Sequence, residues 1–286
     1  MEIIILAWST LFGFVIGSFL NVCIYRIPKG LSILFPGSVC TKCNSKISWY
    51  DNIPIFGYLI LRGRCRNCKE KFSVRYIFIE FFTGLITFLF LYYLFFSGSK
   101  PLETVIVYIL LSYILIVITF IDFDYFIVPN SLTYSGLIFV LVISALIPGI
   151  FEYNNNQIGT QYASVYYVTR WHSLFNCLIG ILVSGGIIFA TAIIGRCILK
   201  KDVMGIGDVK LMCMSGGVIG WKLGIIVFFI APFFGILMAI PVMLKKNTRM
   251  IPYAPFLSIA IIVSIFFEDY FLGIIDSYIE MFRYLF

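Results

Sequence analysis

The chain has 286 residues, of which 61% are hydrophobic and 12% charged, and its mean hydropathy is +1.01. A soluble globular domain of this length does not have that balance. The formal net charge of +7 sits between long apolar runs, so nucleic-acid binding is not needed to explain it.

Apolar runs lie near 3–24, 77–97, 103–121, 132–150, 173–195, 208–221, 223–244 and 255–274. A membrane-crossing helix needs about 20 such residues. The expected fold class is therefore an all-α polytopic membrane protein of about eight transmembrane helices. The sixth run is short, glycine-rich and polar at its start, which suits a half-buried or tilted segment. The first run has no basic leading region and no small-residue cleavage site, and it continues straight into Asn21 and Arg26. That is a retained helix, not a removable signal peptide. Three parts are expected: a first transmembrane helix at 1–25, a polar insert at 26–76 and a membrane body at 77–286. The 151–172 segment reads as a solvated external connector, and Asn130-Ser131 after Pro129 as a side-chain-capped helix start.

Basic residues orient the chain. Of the 21 Lys and Arg, ten lie from Arg26 to Arg75. Arg196, Lys200, Lys201, Lys210, Lys245, Lys246 and Arg249 share their side if there are eight spans. Only Lys100, Arg170, Lys222 and Arg283 fall opposite. Both termini are then extracytoplasmic, and the insert, Asp122 and Asp208 are cytoplasmic.

The insert carries Cys40-Thr-Lys-Cys43 and Cys65-Arg-Asn-Cys68, a C-x2-C-x21-C-x2-C pattern. Paired knuckles at this spacing suit tetrahedral thiolate coordination of Zn²⁺. A reducing cytoplasm disfavours disulfides. Four sulfurs leave no open position for water, so the zinc is expected to be structural. It would staple a segment of about 50 residues, too small to build its own core. Lys42, Arg64, Arg66 and Lys69 are placed to favour anionic thiolates. A pair of redox dithiols is the other reading of the motif. Cys23, Cys177, Cys197 and Cys213 lie in or beside apolar runs and read as small buried hydrophobes.

Asp122 ends the apolar run from Val105, and Asp208 opens the sixth run within Gly205-Ile-Gly207-Asp208. Carboxylates at the border of hydrocarbon are costly and usually functional. Two of them equip a site for acid–base hydrolysis of a peptide bond, or for ion or proton transport. Gly205 and Gly207 would let a backbone come close to Asp208, as an extended substrate requires. Asp124 points about 200° away from Asp122 if the helix continues, so only one of them can face Asp208. Asp122 adjoins the apolar run and is the better candidate; Asp124 reads as supporting. The single histidine, His172, excludes histidine-rich metalloprotease sites, and it falls on the opposite side from the carboxylates.

The order of motifs resembles the bacterial type IV prepilin peptidases, a GxGD aspartic membrane protease family. The similarity begins with Gly17-Ser-Phe-Leu-Asn21-Val and Arg26-Ile-Pro28. The cysteine quartet follows, enclosing Asn52-Ile-Pro54 and Gly57-Tyr-Leu59. Then come Ser73-Val-Arg75-Tyr76, Glu80, Thr83-Gly84, Ile121-Asp122-Phe-Asp124 with Pro129, Gly205-Ile-Gly-Asp208-Val-Lys210, and Pro252-Tyr-Ala-Pro255-Phe. Asn130 stands where an acidic residue is frequent, and Ala254 where Gly is usual; neither change removes a catalytic group.

The resemblance implies an inner-membrane endopeptidase that removes a short basic leader from type IV prepilins or type II secretion pseudopilins. Asp122 and Asp208 would be catalytic. Many members then methylate the new terminal amine with S-adenosylmethionine, at a site no motif in this chain reveals. A cation- or proton-coupled transporter using the same carboxylates is the alternative from another class. A membrane methyltransferase without peptidase activity is a third reading.

Overall fold

A backbone crossing hydrocarbon must satisfy its own amides and carbonyls, so the apolar runs become helices. The computed structural model describes residues 1–40, 42–98, 100–147, 166–200, 204–245 and 252–285. In chain order the helices are α1 (Glu2–Arg26), the short α2 (Phe56–Ile60), α3 (Arg75–Leu89, extended by a wider turn over Phe90–Phe96), α4 (Leu102–Tyr125), α5 (Asn130–Leu146), α6 (Tyr166–Leu199), α7 (Ile206–Lys245), α8 (Ala254–Phe266) and α9 (Glu268–Leu285). There is no strand among the described residues, only two isolated bridges in the insert. The expected external connector lies mostly outside the described residues, as do Lys201, Lys246 and Arg249.

By length and apolarity alone, five helices qualify as membrane spans, or six if the bent pair α8–α9 counts as one. The gap from eight has physical causes. α5 is apolar but has only 17 residues. α7 is one continuous stretch by hydrogen bonding, yet Gly220 leaves the helical region at φ 78°, ψ 169°. Gly216 and Gly224 both abut Ser184 of α6. In a straight helix they would stand about 12 Å apart along the axis. The chain therefore folds back at Gly220, where a positive φ needs glycine. The reversal falls between the sixth and seventh apolar runs of the sequence. The last run bends too, by 83° between α8 and α9.

α4 is the central helix, with 72% of its span buried against 22% for α1. It packs on α1, α3, α5 and α8. α1 and α3 approach closely because Gly13 and Gly17 sit four apart on one face. Cβ atoms there would fall 2.9 Å from Gly84 Cα and 2.6 Å from Glu80 Cα. Such small-residue seams drive helix association where there is no hydrophobic effect. α5 starts at Asn130 with Pro129 as its cap residue and no side-chain cap. The Asn130 side chain instead accepts a hydrogen bond from Lys210 at 2.9 Å.

One end of the bundle collects the C-termini of α1 and α4 and the N-termini of α3, α5, α7 and α8. Its ties include Asn21 Nδ2 to the Tyr76 carbonyl at 3.1 Å and Arg75 to Asp124 at 2.6 Å. The opposite end is held by a buried ion pair, Lys100 to Glu268 at 2.6 Å, which anchors the α3–α4 connection beneath the α8–α9 bend. Lys222, just past the Gly220 reversal, bonds Asp276 of α9 at 2.7 Å.

The glycine seam makes a testable prediction. Gly17→Leu should destabilise the protein by about 1–3 kcal/mol through overpacking, read as a lower melting temperature in detergent. Gly186→Leu should be silent, because a Cβ there meets nothing within 4 Å. Equal melting temperatures for the two variants would contradict the α1–α3 contact.

Candidate active site

Asp122 lies in the last turn of α4, where the helix closes with Phe126 in the left-handed conformation, its amide on the Asp122 carbonyl at 2.9 Å. Asp122 is 5% exposed. Its Oδ2 accepts a hydrogen bond at 3.2 Å from the backbone N–H of Ala254. Ala254 is the first residue of α8, and Pro255 follows it in the first turn. A helix start leaves amides without partners and carries partial positive charge. Pro255 has no backbone N–H, so it removes one of those orphans. α8 thus offers its opening turn to Asp122.

Asp208 lies in the first turn of α7 and is 8% exposed. Its amide bonds the Gly205 carbonyl at 3.1 Å. Its carboxyl lies within electrostatic reach of both Asp122 and Tyr253. The structure thus brings Asp122 and Asp208 together at one end of the bundle, both buried.

The two glycines divide their tasks. A Cβ on Gly207 would stand 2.8 Å from Val128 Cβ, so Gly207 lets α7 press against the chain just after α4. Gly205 is exposed, and a Cβ there would meet only Asp208 Oδ2 at 3.5 Å and the Gly207 amide at 3.8 Å. Gly205 therefore leaves open space beside Asp208.

Asp124, two residues on, faces elsewhere. Both its oxygens accept from Arg75 Nη1, at 2.8 and 2.6 Å. Arg75 also donates to the Phe120 carbonyl at 3.1 Å and lies over the Phe120 ring at 4.7 Å. Asp124 ties the start of α3 to the end of α4 and does not join the buried pair. Lys210, one turn into α7, lies over the Tyr134 ring at 4.8 Å and holds Asn130. His172 is exposed on α6.

The four insert cysteines converge. Their Sγ atoms all lie within 4.8 Å of one another, with Cys40–Cys68 and Cys43–Cys65 each 3.9 Å apart. A tetrahedral centre with Zn–S bonds of about 2.3 Å has sulfur–sulfur edges of roughly 3.8 Å, so the donor set fits a metal of that kind. The two knuckles are copies of one design. The Cys40 carbonyl accepts from Asn44 and the Cys65 carbonyl from Lys69, and both partners have positive φ, 55° and 58°. Bridges Val39–Lys46 and Arg64–Lys71 close the two turns.

Hydrogen bonds from the Ser45 hydroxyl and amide push the Cys43 thiol down to about 6, and amides of Cys68 and Asn67 lower Cys65. Of the basic residues expected to do this, Arg66 is engaged by Asp51 at 2.6 Å and Lys42 faces Glu70 at 4.0 Å.

The sequence reading missed the Ala254 amide and the role of Arg75. The Pro252-Tyr-Ala-Pro255 motif carried the first signal, since Pro in an opening turn marks a helix start. No local pattern ties Arg75 to an aspartate 49 residues away.

Comparison with known proteins places this arrangement. Residues 11–95 match the profile of the bacterial peptidase A24 N-terminal domain, and residues 109–240 that of the type IV leader peptidase family. A prepilin leader peptidase/N-methyltransferase from Vibrio cholerae serotype O1 is 33% identical over 228 residues, covering 77% of this chain and 79% of its own. Relatives of the same name occur in Klebsiella pneumoniae, at 31% identity over 73% of this chain and 83% of their own length, and in Aeromonas hydrophila, at 29% over 91% and 89%. No solved structure matches the chain. Two profiles covering successive stretches and a relative aligned over most of both lengths establish that the chain belongs to the type IV leader peptidase family.

Proposed function

We propose that this protein is a multi-pass membrane endopeptidase that removes the leader from type IV prepilins or pseudopilins, using Asp122 and Asp208, and then methylates the freed N-terminal amine. The observation that carries the reading is the convergence of two buried carboxyls, from α4 and α7, beside the opening turn of α8. The relatives' names supply the substrate class and the second activity. The excess of basic residues around this end of the bundle favours a cytoplasmic placement in the inner membrane.

Two close carboxyls in a site of low dielectric share one proton. The N-terminus of α8 favours negative charge on Asp122, which gives Asp122 the part of general base toward the attacking water. Asp208 then holds the shared proton, polarises the scissile carbonyl and protonates the leaving amine. The exposed Gly205 admits the substrate backbone beside Asp208. The substrate's apolar helix would rest in lipid, with its basic leader outside, on the side of the insert.

Zinc would be held by Cys40, Cys43, Cys65 and Cys68 as a structural cross-link, because four thiolates complete its shell. S-Adenosylmethionine, when bound, supplies a methyl group to the freed amine. The transporter reading keeps the same two carboxyls, and a cleavage assay separates it from this one.

Asp122→Asn and Asp208→Asn keep side-chain shape and should each lower cleavage of a model prepilin by at least about 10²-fold, with normal accumulation in the membrane. Asp124→Asn should cost no more than about fivefold, since a half-exposed ion pair contributes ~0–1 kcal/mol. Wild-type cleavage by Asp208→Asn would reject the aspartic mechanism. Loss in Asp124→Asn but not in Asp122→Asn would move the first role two residues along.

Elemental analysis should find one zinc per chain, and Cys40→Ser should abolish it. Zinc-finger peptides gain about 10–16 kcal/mol from the metal, so the insert of the variant should become sensitive to proteolysis. Two disulfides and no zinc in the purified protein would overturn the metal assignment.

A further inference from the structure

A cavity of about 320 Å³ opens between the insert and helices α1 and α3. Small-molecule sites usually occupy roughly 300–1,000 Å³. The insert forms one wall, with Asp51 and Tyr58. The bundle forms the other, with Asn21, Tyr25, Tyr76 and Glu80. None of these side chains takes part in the proposed peptide hydrolysis. We infer that this cavity is the binding site for S-adenosylmethionine, an inference that rests on the methylation reading above.

The walls also carry Arg26, Lys46 and Arg66, the last held by Asp51, and these suit the ligand's carboxylate, while other groups suit its remaining parts. A sulfonium is a cation without a hydrogen-bond donor, and it is recognised by aromatic faces and by carboxylates. Tyr58, Tyr76 and the Glu80 carboxylate provide both, while the Tyr25 ring already carries Lys29 at 3.6 Å. A ribose diol is commonly held by an acidic side chain, and an adenine ring stacks on aromatic side chains.

Glu80 is set in place with some strain. Its Oε2 accepts the backbone N–H of Ile55 at 2.7 Å. Ile55 has φ 64° and ψ −54°, a conformation that β-branched residues seldom adopt. Strain of this kind persists where the surroundings over-determine it, and it collects at ligand clamps. The bond fixes the carboxylate and joins the two walls.

Position completes the case. Tyr76 lines the cavity, and Arg75 beside it grips Asp124 and the Phe120 carbonyl on α4, the turn that carries Asp122. The cavity and the buried aspartates therefore share one end of the bundle. An amine released at the aspartates and a methyl group held against Tyr76 and Glu80 would thus lie at the same end of the bundle.

The test uses the full-length, zinc-loaded protein in detergent. Radiolabelled S-adenosylmethionine is cross-linked to it by ultraviolet light, and the labelled peptide is mapped. Label within 18–26, 38–67 or 72–80 is the expected result. Label confined to α7 or α8 overturns the assignment. Equilibrium dialysis of the unlinked ligand adds two variants: Glu80→Gln, which removes charge, and Val22→Phe, which fills space in the cavity wall. Each should bind about tenfold or more weakly, a loss of some 1.4 kcal/mol, while retaining its zinc. Wild-type affinity in both variants overturns the site and leaves methylation standing. No binding by the wild-type protein overturns the methylation reading itself. If a variant loses its zinc, the cross-link map of the wild-type protein decides.

Discussion

The hydrogen bond from the Ala254 amide to Asp122 is the contact on which the arrangement of this bundle turns. In hydrocarbon a helix cannot leave its first amides without partners, and a carboxyl cannot be buried without a donor. Each demand answers the other where α4 ends and α8 begins. The contact requires α4 to be central, so that its last turn stays away from lipid. It also requires α8 to start at the depth where α4 stops. The reversal at Gly220 serves that geometry, because it brings the chain back toward the aspartate end before α8 begins. Gly207, beside Asp208, packs closely on Val128, a few residues past Asp122.

A second chain of contacts links the insert to this centre. Arg26 donates to the carbonyls of Ser32, Pro36 and Gly37, which fixes the exit from α1. Glu80 holds Ile55, Asn21 holds the Tyr76 carbonyl, and Arg75 reaches α4. The insert is too small for a core of its own, and the four thiols and the bundle share the task of holding it. This chain of contacts couples the cysteine cluster to the turn that carries Asp122.

Much of this was readable in the chain. The apolar runs announced the spans, and the two C-x2-C pairs announced a cluster whose sulfurs now lie within 4.8 Å of one another. The 200° offset between residues two apart separated Asp122 from Asp124, and the structure buries the first and gives the second to Arg75. What stayed hidden depends on partners distant in sequence. The Ala254 amide carries no side-chain signature. Lys42 and Arg66 looked like thiolate partners by proximity along the chain, yet Glu70 and Asp51 face them. Asn130 looked like a helix cap and instead serves Lys210. The cavity beneath the insert exists only because segments about 50 residues apart meet.

The most direct test of the paired aspartates is a proximity measurement in the membrane. Cysteines replace Asp122 and Asp208 in a chain that keeps the four insert cysteines and has Cys23, Cys177, Cys197 and Cys213 changed to Ala. Dibromobimane becomes fluorescent when it joins two nearby thiols. Peptide mapping separates a bridge at these positions from any among the four insert cysteines, whose sulfurs lie within 4.8 Å of one another. The account predicts a bimane bridge joining positions 122 and 208 and none joining 124 and 208. A bridge joining 124 and 208, with none joining 122 and 208, would contradict it.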